Sequence, residues 1–178
     1  MNGKRLACPI SSRLALIFAS ALLLAVASMP SMAAAQGTVK GTFGAWNLEC
    51  ATPPGARAEQ CALVQRVIDQ DRPGAVGLAV IVLKAADNKT WILRALAPLG
   101  VLLPSRLGLK IDETDVGNVE FQSCATNGCF AQAIMQDELI EKFKTGKEAV
   151  FIIFKTPEQG IGIPVTLEGF SDGMEKLR

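Results

Sequence analysis

Few residues in this chain are of a type that could do chemistry, and their spacing argues against most of it. The acids of Asp112-Glu113-Thr114-Asp115 could hold a calcium ion or serve as hydrolytic carboxylates. They lack the D-x-D-x-D-G order that folds oxygen ligands around one point. No paired acid and base spacing accompanies them, so a solvated turn is the expected role. The chain contains no histidine, which excludes Ser-His-Asp and Cys-His nucleophiles, His metal ligands and His proton shuttles. After residue 35 the serines are Ser105, Ser123 and Ser171, and none stands in G-x-S-x-G or S-x-x-K. Gly160-Ile161-Gly162-Ile163-Pro164 is glycine-spaced, but it lacks G-x-G-x-x-G and a following helix to receive a phosphate; it reads as the start of a strand. Trp46 and Trp91 could stack a sugar or a base, yet in a chain only 6% aromatic they are expected in the core. Lys144 and Lys147 are offset by Asp137, Glu138 and Glu141 and read as a solvated face. These readings lead to a non-enzymatic protein with no catalytic residue, no cofactor and no metal.

The N-terminus points to export. Lys4, Arg5 and Arg13 precede an apolar run of 13 residues from Leu14 to Val26, followed by Pro30 and by Ala33, Ala34 and Ala35. That is the order of a cleaved signal peptide, and the run is short of the roughly 20 residues a bilayer span needs. Residues 1–35 are therefore expected to be removed, together with Cys8, leaving a single domain over 36–178. Losing the three leader cations takes the formal charge from +1 to −2. No basic excess remains to meet a nucleic-acid backbone, and no later segment is long and apolar enough to span a membrane.

Cys50, Cys61, Cys124 and Cys129 remain, and an even number in an exported chain reads as two disulfides. Three connectivities are open. The local pairs Cys50 with Cys61 and Cys124 with Cys129 are favoured, because turn residues separate each: Pro53-Pro54-Gly55 in one loop and Ala125-Thr126-Asn127-Gly128 in the other. A four-residue hairpin loop with positive φ at Gly128 would set Cys124 opposite Cys129. With ten and four intervening residues the pairs have neither zinc-site nor C-x-x-C redox spacing.

Short β-branched and aromatic runs broken by Gly, Pro, Asn and Asp predict strands over 45–50, 61–68, 77–84, 90–96, 107–111, 119–124, 129–135, 148–155 and 161–167. The fold expected is all-β, a sandwich or barrel of about eight to ten short strands. The tracts 77–83 and 149–154 are continuously apolar and read as central strands covered on both faces. One helix is predicted over 138–144, capped by Asp137 and stopped by a left-handed Gly146, with Leu139 and Phe143 on the face that meets the sheet. A second amphipathic stretch from Phe170 through Met174 to Leu177 is interrupted by Gly173.

Phe43-Gly44-Ala45-Trp46-Asn47-Leu48-Glu49-Cys50 and Glu59-Gln60-Cys61-Ala62-Leu63-Val64-Gln65 resemble tracts of the invasion-associated locus B family of exported bacterial proteins. The resemblance continues through Leu96-Ala97-Pro98-Leu99-Gly100-Val101-Leu102-Leu103-Pro104, Cys129, Phe151-Ile152-Ile153-Phe154-Lys155-Thr156-Pro157, Gly160-Ile161-Gly162-Ile163-Pro164 and Gly169-Phe170. Many relatives carry Asp where this chain has Ala45. The resemblance implies a periplasmic or secreted protein, in some relatives associated with the outer membrane and linked to host-cell entry, and it implies no reaction. The expected function is a protein-binding module whose partner lies in the envelope or on a host surface. The alternative is a periplasmic binder of a small molecule or an envelope polymer. A flat apolar patch would favour the first, and an apolar pocket with converging polar groups the second. The partner surface is expected at Val101, Leu102 and Leu103, bracketed by Pro98 and Pro104 as an edge strand with an outward apolar side.

Overall fold

The computed structural model describes residues 37–69 and 76–177; the predicted signal peptide and Cys8 lie outside the described residues. Over these residues the chain runs β1 (Thr38–Phe43), β2 (Trp46–Ala51), β3 (Gln60–Ile68), β4 (Val76–Lys84), β5 (Trp91–Ala97), β6 (Leu107–Ile111), β7 (Thr114–Val119), β8 (Phe121–Ala125) and β9 (Gly128–Met135). It continues with α1 (Asp137–Thr145), β10 (Glu148–Thr156), β11 (Gln159–Thr166) and α2 (Phe170–Lys176). The strands form a seven-stranded sheet in the order β1-β2-β3-β4-β5-β9-β8 and a four-stranded sheet in the order β11-β10-β6-β7. Every pairing is antiparallel. Neither sheet closes on itself, so the predicted choice between sandwich and barrel resolves to a sandwich.

Two strands escaped the sequence reading, β1 and β7. Both are sheet edges and both are largely exposed, so they carry no apolar alternation to detect. Strand β4 lies at the centre of the large sheet, with Leu78, Val80 and Val82 fully buried against the small sheet. Neither β4 nor β10 is covered on both faces as expected: Ile81 and Leu83 of β4 are half-buried on its outer side, and β10 shows the same one-sided pattern. Ala149, Phe151 and Ile153 are buried, whereas Val150, Ile152 and Phe154 lie half-buried on the outer side. Those three lean over glycines instead of over another layer. A Cβ on Gly162 would stand 3.0 Å from Val150 Cγ1, one on Gly108 3.3 Å from Ile152 Cβ, and one on Gly160 3.1 Å from the Phe154 ring. The glycine spacing of β11 is thus the floor on which the β10 side chains lie.

Helix α1 begins after Gln136, so Asp137 is its first residue rather than its cap. Gly146 is extended at φ −72°, not left-handed. Glycine is needed there for space: a Cβ would lie 2.7 Å from the Lys142 carbonyl oxygen and 2.8 Å from Ile111 Cγ2. Gly173, which weakened the sequence case for α2, has a similar explanation. A Cβ there would meet Leu63 Cδ1 at 2.5 Å, so its absence lets the helix press onto β3.

Trp46, Phe143 and Phe170 are fully buried and form an aromatic cluster in the core. The rings of Trp46 and Phe170 meet edge to face at 5.1 Å, and Phe143 lies 5.2 Å from Phe170. The Trp46 indole N–H donates to the Thr166 carbonyl at 3.0 Å. Beside them two left-handed glycines bring backbones together. A Cβ on Gly44 would stand 2.6 Å from the Glu168 carbonyl oxygen, and one on Gly169 2.2 Å from that of Phe43.

Candidate functional site

Both predicted disulfides are present, Cys50–Cys61 and Cys124–Cys129. Each joins residues directly opposed across adjacent strands. The second closes a tighter hairpin than expected: Ala125 pairs with Gly128, leaving only Thr126 and Asn127 in the turn, and Gly128 has φ +142°. The one grouping of potential metal donors among the described residues, Cys50, Glu59 and Cys61, has both its sulfurs in a disulfide.

The acidic cluster forms the turn between β6 and β7, with Asp112 and Glu113 both left-handed at φ +46° and +67°. Two of its carboxylates are engaged with backbone. Asp112 accepts from the Lys147 and Glu148 N–H groups at 3.0 to 3.1 Å, tying the turn to the start of β10. Asp115 accepts from the Gly117 N–H at 2.8 Å. Lys144 pairs with Glu141 and Lys142 with Glu138, and the hydrogen bond and charge of Lys142 hold the Glu138 carboxyl below its ordinary range. Trp46 is a core anchor; Trp91 is half-buried beneath the Lys84 ammonium, 5.0 Å from its ring centre.

The segment predicted as an edge strand is not a strand. Residues 103–105 form a short 3-10 turn, and the Leu102 N–H donates to the Phe154 carbonyl at 2.6 Å. This hydrogen bond uses the backbone group that an incoming strand would need. Val101 and Leu102 are half-buried, and Leu103 and Leu99 are exposed. The two prolines explain the difference, since Pro104 fixes the turn and cannot donate to a ladder.

Two features that the sequence reading did not locate stand out instead. The first is the outer face of the large sheet. Register places Ala62, Leu83, Ile92 and Ile134 in one row across β3, β4, β5 and β9. The next rows hold Val64, Ile81, Arg94 and Gln132, then Arg66, Ala79, Leu96 and Phe130. Ile134 is 60% exposed at the end of its row. The Arg94 guanidinium donates to Gln132 Oε1 at 2.8 to 3.1 Å and lies 5.8 Å from the Phe130 ring, so a cation and an amide adjoin the aliphatic row. Arg66 pairs with Glu49 at its margin.

The second is a cleft between the sheets of about 140 Å³, opening beside β7 and β9. Small residues create it: Ala95, Ala131 and Ala133 on the large sheet and Gly117 on β7, facing Leu109, Phe151 and Leu139. Asn118 is the only polar side chain in its lining. Gln65 belongs to the same inward row as Ala95 and Ala131; it is buried, and its Oε1 has no hydrogen-bond partner among the described residues, a net cost to folding. Sequence signals for both features existed in the apolar residues outside the inward alternation and in the alanines of β9, but a single sequence does not say which face another layer covers.

The chain resembles known proteins along most of its length. The family model for the Invasion associated locus B (IalB) protein matches residues 46–178. Two Brucella abortus proteins, the invasion protein B homologues of strain 2308 and of biovar 1 strain 9-941, are each 25% identical over 160 residues, covering 89% of this chain and 88% of theirs. The crystal structure of invasion associated protein B from Bartonella henselae superposes with a TM-score of 0.66 at 19% identity, over 79% of this chain and 96% of that one. The Trp46 contact with Phe170 and the touching glycines of the β1–β2 turn and the α2 start join the first and last tracts of the resemblance noted in the sequence. With its two disulfides this is an exported protein, and it belongs to the Invasion associated locus B family.

Proposed function

We propose that the protein is a non-enzymatic binding module of the cell envelope, periplasmic or secreted and possessing a face for the outer-membrane or host-surface protein it contacts, and that this contact contributes to adhesion or invasion. The observation that carries the reading is the outer face of the large sheet. A two-layer sandwich ordinarily presents polar residues there, and here the row through Leu83, Ile92 and Ile134 is aliphatic. A partner matching this face presents an aliphatic patch and a carboxylate for Arg94. The inter-sheet cleft supports the rival small-molecule reading less well, since about 140 Å³ is below the roughly 300 Å³ at which ligand pockets begin and Asn118 alone offers a polar side chain.

The test is a photo-crosslinking residue at Ile92, in intact cells, with one at Lys110 on the small sheet as control. A single protein captured from Ile92 and not from Lys110 supports the reading. Equal or no capture at both positions overturns it. N-terminal sequencing of the envelope fraction checks the export step, with Gln36 or a near neighbour expected as the first residue.

A further inference from the structure

The edges of the two sheets are not equally protected. Natural sheets guard free edges with charges, proline, bulges or short strands. Strand β11 carries Pro164, β1 carries Lys40 and a bulge, and β7 carries Asp115, Gly117 and a bulge. The fourth edge is stepped. β8 pairs with β9 only between Gly128 and Ala131, whereas β5 on the other side pairs with β9 as far as Met135. Among the described residues none therefore pairs with the outer edge of residues 132–135, and their sequence, Gln132-Ala133-Ile134-Met135, has no charge and no proline.

What lies beside that vacant position suits a strand. Ala133 faces inward and lines the cleft with Val116 and Leu139, so an added strand would send alternate side chains toward this space. A cavity of this size resembles the roughly 150 Å³ apolar cavity that accepts a benzene ring, which is the scale of one large side chain. On the opposite face the vacant edge adjoins exposed Ile134. The charges nearby are of both signs, but the cations are engaged: Arg106 is bonded to Asn118 and Glu120 and Arg94 to Gln132, whereas Glu113 and Asp115 beside the β7 lining and Asp137 after β9 are in no ion pair among the described residues.

We propose that the outer edge of residues 132–135 receives an extended segment of the partner protein by strand addition, with one aliphatic or aromatic side chain in the inter-sheet cleft and flanking basic residues facing Glu113, Asp115 and Asp137. This rests on the reading of the protein as a binding module and names where part of its partner binds. Main-chain hydrogen bonds supply affinity in this mode, and the cleft and charges supply selection.

The test uses the full exported chain and two synthetic peptides, acetyl-Lys-Thr-Leu-Thr-Lys-amide and its twin with Glu in place of both Lys. Binding is followed by amide hydrogen exchange and methyl shifts in NMR. The expected result is slowed exchange at residues 132–135, with shifts at Val116 and Leu139, for the basic peptide at concentrations up to about 1 mM, and at least about tenfold weaker binding of the acidic twin. Ala133→Phe fills the cleft and Ile134→Lys places a like charge beside the edge. Each is expected to weaken binding about tenfold or more, and Ile134→Lys does so at an exposed position where the fold tolerates it. No binding, equal binding of the twin, or protection confined to other strands overturns the proposal, as does concentration-dependent dimerisation through the same edge. Capture from Ile92 in cells alongside any of those results rejects the edge site alone; loss of both rejects the binding module.

Discussion

The aromatic cluster, where α1 and α2 bring Phe143 and Phe170 onto Trp46 of β2, and the inter-sheet cleft are two parts of one core that differ in side-chain size. At the cluster, Trp46, Phe143 and Phe170 are fully buried and glycines let the backbones of the β1–β2 turn and α2 touch. At the cleft, Ala95, Ala131, Ala133 and Gly117 leave about 140 Å³ unfilled. Helix α1 spans both regions, with Phe143 in the cluster and Leu139 at the cleft. Stability is therefore concentrated at one end of the core, and the other end is left free to accept a guest at little cost to folding.

The sharpest test of that contrast is on α1. Phe143→Ala is expected to cost about 3–5 kcal/mol, whereas Leu139→Ala, half-exposed at the cleft, should cost about 1 kcal/mol. Equal losses in chemical denaturation would show that the cleft is as well packed as the cluster. The disulfides come next. Replacing either pair by serines should cost about 2–3 kcal/mol. Cys50–Cys61 closes a separation of 11 residues and Cys124–Cys129 one of 5, so the first is expected to cost about 0.7 kcal/mol more from loop entropy. Reversed melting order would place the difference in native packing instead.

The smallest effect belongs to the β4–β5 turn, remote from both regions. Asp87 accepts from the Thr90 hydroxyl, the Thr90 N–H and the Lys89 N–H, and the Thr90 hydroxyl leads these bonds in holding its pKa at about 2 against an ordinary 3.8. A depressed carboxyl contributes stability above its unfolded value and loses it as pH falls through the folded one. The turn should therefore loosen between about pH 4 and 2, without affecting cleft or cluster at neutral pH. Carboxyl titration by NMR checks this, with Thr90→Val expected to move the Asp87 midpoint upward.

Much of the architecture was legible because inward alternation and turn chemistry are local. The central strands, the helix at 137–145, the two disulfides and the turn role of Asp112 and Asp115 could all be read that way. The second helix was obscured by Gly173, whose reason is a close approach to Leu63 from more than a hundred positions away in the chain. Strands β1 and β7 were missed because edge strands bury little. The site was legible least. Val101, Leu102 and Leu103 drew attention as an apolar run between prolines, but the hydrogen bond from Leu102 to Phe154 closes that segment onto β10. Residues 132–135 look unremarkable in sequence, and only the register shows that β8 stops short of them.

The bond from the Trp46 indole to the Thr166 carbonyl spans 120 positions, and Phe170 must arrive before the Trp46 ring has its partner. Contacts of such high sequence separation slow folding, so this end of the sandwich closes only once α2 has docked. The aromatic core thus works as a late latch, and until the C-terminal segment is in place the indole of Trp46 has neither its ring contact nor its carbonyl.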